Sequence, residues 1–173
     1  MRKIKLISIL IFIFFIIITF SMGLKKEKVY DTIDVVGKPI SEISLNLFNE
    51  KNTLNTNELR KNKFTLINFW ASWCAPCRKE HKNLLFLKKN GDIKILGVNF
   101  KDKKSNANKF INDLGNPFYL IALDEDGKKS VSFGVYGIPE TILINQDLVV
   151  VKKYIGAIDK KDVKEILKIV GKK

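Results

Sequence analysis

The chain has 173 residues, with 31 Lys and Arg against 18 Asp and Glu, a formal net charge of +13, 46% hydrophobic residues and two cysteines. That length holds one domain of about 100 to 150 residues plus a short appendage, and the apolar content excludes a disordered chain. Two cysteines exclude both a disulfide scaffold and a closed four-cysteine zinc site.

The positive charge does not point to nucleic acid. Only Arg2, Arg60 and Arg78 are arginines, and the lysines are scattered along the chain. Base readout and bidentate phosphate contacts favour arginines gathered on one element. The lysines read as solvated surface groups, and no nucleic-acid partner is expected.

Leu6 to Leu24 carries no charge and follows Arg2, Lys3 and Lys5. As a helix it comes close to the ~30 Å hydrocarbon thickness of a bilayer. It is also longer than the apolar region of a cleavable signal peptide, about 7 to 15 residues. Residues 1–24 are therefore read as an N-terminal membrane anchor. Cleavage after Gly23 and a buried core helix are the alternatives, and with an anchor or a signal sequence the remainder is exported. Residues 25–38, beginning with Lys25, Lys26 and Lys28, read as a polar tether, and residues 39–173 as one domain.

Within that domain Ile43, Leu45 and Leu47 alternate as in a half-buried strand, and Asn49 to Asn57 reads as a loop. Phe64 to Trp70 is a continuous apolar run broken only by Thr65 and Asn68, the signature of a strand buried on both faces. Leu84, Leu85 and Leu87 form a helical stripe that closes at Asn90-Gly91, and Ile93 to Phe100 is the next strand. Ser105 is the expected cap of a helix carrying Ala107, Phe110, Ile111 and Leu114, which Gly115-Asn116-Pro117 ends. Phe118 to Leu123 is a strand before the turn Asp124-Glu125-Asp126-Gly127. Thr141 to Ile144 and Leu148 to Tyr154 form a hairpin. Asp159 caps a last helix with Val163, Ile166, Leu167 and Val170 turned inward. The fold class is α/β, a central mixed sheet flanked by helices.

Cys74-Ala75-Pro76-Cys77 lies where the buried strand gives way to a helix, a place where Cys-x-x-Cys signals redox chemistry. There Cys74 meets unpaired N–H groups and the positive end of the helix dipole, which favour its thiolate. Pro76 suits the first helical turn. Cys74 is the expected attacker of a partner's disulfide and Cys77 the resolving thiol. The alternatives are a structural disulfide, which would gain little from so short a loop, and a metal site, for which His81 is the only histidine. His81 reads as a helix-surface residue.

Phe69-Trp70-Ala71-Ser72-Trp73-Cys74-Ala75-Pro76-Cys77 resembles the active-site segment of the thioredoxin superfamily. Cys77-Arg78-Lys79-Glu80-His81, Gly97-Val98-Asn99-Phe100-Lys101-Asp102, Leu114-Gly115-Asn116-Pro117-Phe118 and Gly134-Val135-Tyr136-Gly137-Ile138-Pro139-Glu140-Thr141 narrow the likeness. They resemble the DsbE/CcmG thiol:disulfide interchange proteins of cytochrome c maturation, across roughly residues 36 to 160. The resemblance implies a thioredoxin-like fold behind a membrane anchor, on the periplasmic side of a bacterial inner membrane. It implies a reductant of the Cys-x-x-Cys of apocytochrome c, or of a maturation protein carrying those thiols. Re-reduction by a transmembrane carrier of the DsbD/CcdA type follows from the same likeness. No metal and no cofactor beyond the redox-active Cys74–Cys77 pair are expected.

The resemblance puts Pro139 at the cis-proline position of the fold, which would leave the Ile138 backbone free to pair with an extended peptide. It aligns Asn68 with thioredoxin's buried aspartate, whose proton-accepting role a neutral amide cannot fill. It matches Glu80 and Glu140 to acidic positions of the cytochrome-maturation branch. There either carboxylate would disfavour a second negative charge and accept the resolving thiol's proton. Trp73 and Tyr136 are the expected rim aromatics. Ala75-Pro76 supplies no histidine to stabilise the Cys74 thiolate, which leans the site towards a reductant. An exported reductase of another pathway and a Cys-x-x-Cys metal chaperone are the competing readings.

Overall fold

The computed structural model describes residues 2–24, 32–48 and 52–172, in two compact units, Met1–Asp31 and Thr32–Lys173. In the first unit, helix α1 (Arg2–Leu24) contains an apolar window, Ile4–Ser21, long enough to cross a membrane. Two of its hydroxyls bond back to the helix: Ser8 Oγ donates to Ile4 O, and Thr19 Oγ1 to Phe15 O and Ile16 O. Such back-bonding lowers the cost of placing these two hydroxyls in apolar surroundings. Lys25, Lys26 and Lys28 lie outside the described residues.

The second unit is a seven-stranded mixed sheet with helices on both faces. Its strands are β1 (Ser44–Leu47), β2 (Thr53–Asn55), β3 (Phe64–Trp70), β4 (Lys94–Phe100), β5 (Leu120–Asp124), β6 (Glu140–Asn145) and β7 (Val150–Ile155). They run in the order β2-β1-β5-β4-β3-β6-β7. β3, β4 and β5 are parallel, joined by helices α2 (Ala75–Asn90) and α3 (Lys104–Leu114); the remaining pairs are antiparallel. The short helix α4 (Lys128–Ser132) leads to β6, and α5 (Lys160–Ile169) ends the fold.

β3 lies inside the sheet, between β4 and β6, because six of its seven residues are buried. Leu66 and Trp70 pack on one face with Leu84, Leu87, Phe110 and Ile166; Ile67 and Phe69 pack on the other with Leu96, Ile142 and Phe133. The alternation follows from the period of two along a strand. Asn68 therefore shares the face of Leu66 and Trp70, the face covered by α2.

Strand ends shift by one or two residues from those expected, and four larger differences stand out. β2 and a 3-10 helix (Thr56–Lys61) occupy the stretch read as a loop, of which residues 49–51 lie outside the described residues. The 3-10 helix starts where Asn55 Oδ1 accepts from Asn57 N and Glu58 reaches back to Asn55 N. Lys103, not Ser105, is the cap of α3: its backbone is extended, and its carbonyl accepts Asn106 N at 2.9 Å and Ala107 N at 3.0 Å. Helix α4, unassigned from sequence, is held by the buried Asp124, which accepts Lys129 N at 3.1 Å and Ser130 N at 2.8 Å. Finally, the compact unit begins at Thr32: residues 32–35 form a 3-10 helix, and Gly37 and Lys38 bond to Val150.

Candidate active site

Cys74 and Cys77 are joined by a disulfide at the start of α2. Cys74 caps the helix with extended backbone, and its Sγ accepts the Cys77 N–H at 3.2 Å. The sulfur thus sits among first-turn N–H groups at the positive end of the dipole, where a thiolate is favoured. Both cysteines are almost closed off from solvent.

One turn along α2 from Cys77, Glu80 is only 1% exposed. Its Oε1 accepts from Asn68 Nδ2 at 2.8 Å, and its Oε2 from Ile158 N at 2.7 Å. Burial pushes its pKa up to about 7, against the lowering effect of those hydrogen bonds. Desolvation therefore prevails, and the carboxyl titrates near neutrality. The second Asn68 proton goes to Thr141 Oγ1 at 2.9 Å, across the β3–β6 pair.

Glu140 is also buried, but differently supplied. Its Oε1 accepts from Tyr136 N at 3.2 Å and Gly137 N at 3.0 Å, and its Oε2 pairs with Lys153 Nζ at 2.7 Å. Lys153 Nζ also donates to Gly134 O at 2.6 Å. The buried pair thus gathers both sides of the turn that delivers Ile138 and Pro139, whose peptide bond is cis. Glu140 organises this loop, and both of its oxygens are already engaged.

Trp73 and Tyr136 are 59% and 65% exposed. Trp73 Nε1 nevertheless donates to Lys101 O at 3.1 Å, so the ring is tethered. Ile138 is half-buried and touches both cores, and Pro139 is buried. An open cavity of about 330 Å³ beside Tyr136 is walled by Phe100, Lys101, Val131 and Val135.

His81 is not a surface residue. It is 3% exposed, stands edge-on to Phe110 with centroids 5.0 Å apart, and donates from Nε2 to Gly115 O at 2.8 Å. Burial lowers its pKa, keeping the ring neutral. Asp102 and Thr141 stand in segments that carry the family likeness, without a role of their own being read from them, and Lys153 stands unremarked in the last strand.

A Cys-x-x-Cys disulfide at a helix mouth, a buried carboxyl one turn along that helix and a cis-proline just before β6 define a thioredoxin-like disulfide redox centre. The Redoxin family profile matches residues 35–170. The chain is 34% identical over 166 residues to the thiol:disulfide interchange protein DsbE of Haemophilus influenzae, covering 93% of this chain and 91% of that protein. It is 37% identical over 133 residues to DsbE of Vibrio cholerae, covering 77% and 72% of the two. Identity reaches 46% over 96 residues with CycY of Rhizobium leguminosarum, of which the chain spans 52%. The fold matches the thioredoxin domain of a thiol-disulfide oxidoreductase from Bacteroides vulgatus, with TM-score 0.66, 23% identity, and coverage of 79% of this chain and 98% of that one. The chain belongs to the Redoxin family, among the DsbE, CycY and HelX thiol:disulfide interchange proteins. It is a thiol:disulfide oxidoreductase.

Proposed function

We infer that the chain is a membrane-anchored reductant of protein disulfides in cytochrome c maturation. The observation that carries the exchange chemistry is the Cys74–Cys77 disulfide with Cys74 as helix cap. In the reduced protein the Cys74 thiolate attacks a partner's disulfide. A Cys74–partner bond forms, and the displaced partner sulfur takes up a proton. Cys77 then gives its proton to the Glu80 carboxylate and attacks the Cys74 sulfur. The partner leaves fully reduced, and two electrons have passed from the dithiol to it. A buried carboxyl that titrates near neutrality is matched to that proton transfer.

Glu140 acts by holding the Ile138–Pro139 turn, where the exposed edge of Ile138 offers backbone pairing to an extended peptide. Trp73 and Tyr136 form the rim. Helix α1 is the anchor, and the catalytic domain faces the periplasm; its length and apolarity support that reading. The substrate is the Cys-x-x-Cys of apocytochrome c or of a maturation protein, and a transmembrane carrier of the DsbD/CcdA type returns the electrons. These assignments rest on the likeness to the DsbE branch.

Deletion of the gene followed by staining for covalently bound haem tests the pathway. Loss of stained c-type cytochromes, restored by wild type and not by Cys74→Ser, is expected. Unchanged cytochromes would assign the exchange activity to a different exported substrate.

A further inference from the structure

We propose that Asp102 is a positioning residue of this site, holding Trp73 as a fixed wall against which a partner peptide is laid. The inference rests on the disulfide-exchange reading and deepens it. Asp102 lies between β4 and α3, and its carboxylate gathers four donors. Oδ2 accepts from Ser72 N at 2.6 Å and Asn99 Nδ2 at 3.0 Å. Oδ1 accepts from Ser72 Oγ and from Lys103 N, each at 2.8 Å. Asn99 and Lys103 fix the carboxylate from the end of β4 and the start of α3. The other two bonds seize Ser72, close before the attacking cysteine.

The next residue is held from the same loop. Trp73 Nε1 donates to Lys101 O, and Lys101 adopts a left-handed conformation, φ +43°, which a lysine seldom takes without being held there. Both residues immediately before Cys74 therefore hang on residues 101 and 102. Lys101 also walls the cavity beside Tyr136, so this loop joins the two exposed aromatics of the rim. A carboxylate suits the post because it accepts on both oxygens. An asparagine there would turn its NH₂ towards a donor.

The test compares two exchange rates of the full chain in detergent, one with a peptide bearing a Cys-x-x-Cys disulfide and one with dipyridyl disulfide. Asp102→Asn is expected to slow the peptide reaction about tenfold, the equivalent of one hydrogen bond, while the small-molecule rate stays within about twofold. Hydrogen exchange of the Trp73 indole N–H should speed up in parallel. Ser72→Ala, which removes one of the bonds without burying a new polar group, should give the same split with smaller amplitude. An unchanged ratio of the two rates in both variants, or an indole N–H as protected as in wild type, overturns the proposal. A wild-type chain that exchanges neither disulfide overturns the exchange reading, and this inference with it.

Discussion

Asn68 Nδ2 lies 2.8 Å from Glu80 Oε1, so the strand beneath the dithiol holds an amide, and the helix above it supplies the carboxyl. The buried carboxyl next to Cys77 thus belongs to α2, and its amide partner to β3. Asn68 serves it by fixing one oxygen while Ile158 N fixes the other. The consequences of this arrangement can be read in solution.

Stability should fall as pH rises from about 4.5 to about 7, because Glu80 has its ordinary pKa of 4.5 when unfolded and about 7 when folded. In that window the folded chain binds the extra proton. The contribution is complete below the unfolded value and lost as pH passes the folded one. At ~1.4 kcal/mol per pKa unit the loss is about 3 kcal/mol. Urea unfolding of wild type and Glu80→Gln across the window checks it: the variant should be flatter, and a wild-type curve already flat would contradict the assignment.

Resolution of the mixed disulfide should accelerate as Glu80 ionises, with a midpoint near its pKa of about 7. Glu80→Gln should slow that step about a hundredfold and remove the limb. Stopped-flow release of a peptide from the Cys74 adduct reads both. Identical profiles would take Glu80 out of the proton transfer.

Cys77→Ser should accumulate a covalent Cys74–partner adduct, visible by non-reducing electrophoresis and mass spectrometry, because the attacking thiolate remains and the resolving thiol is gone. Cys74→Ser should give none. Trapping by the second variant alone would reverse the order of attack.

The Glu140–Lys153 pair has side-chain exposures of 5% and 0%, so neither charge can turn to water. Lys153→Met leaves Glu140 buried with an uncompensated charge and should cost about 3–5 kcal/mol. Glu140→Gln combined with Lys153→Met should recover part of the loss. A double-mutant cycle by denaturant unfolding decides; strict additivity would mean that the pair is not coupled.

Gly97→Ala should destabilise the domain. A Cβ there would stand 2.8 Å from the Phe118 ring and 2.9 Å from Trp70 Nε1, inside the stack that Trp70 makes on Phe118. Overpacking of this kind costs about 1–3 kcal/mol. A melting temperature equal to wild type would show that the aromatic pair can yield.

Much of this architecture is legible locally. Phe64 to Trp70 announces a central strand by its unbroken apolarity, and the cysteines sit at a strand-to-helix junction that neighbouring residues define. Helix α4 is not legible, because its five residues are too few for a helical period and its support comes from Asp124. His81 carries the polarity of a surface residue. What buries it is Phe110, Gly115 and Phe118, distant in sequence and brought over α2 by the crossover through α3. Asp102 is opaque for the same reason: the bonds that give it a role go to Ser72, thirty residues away in sequence. Local pattern finds the sulfurs and the family likeness the residues around them; the bonds of Asp102 and the burial of His81 are found only in three dimensions.

The outermost strand β7 is covered where it begins, since Gly37 N and Lys38 O bond to Val150, and Ile40 N to Leu148 O. That ribbon of backbone occupies donors and acceptors that would otherwise template pairing with a second molecule. A soluble fragment for biophysical work should therefore start no later than Thr32. One trimmed to Ile40 would expose a sticky flank and invite self-association unrelated to biology.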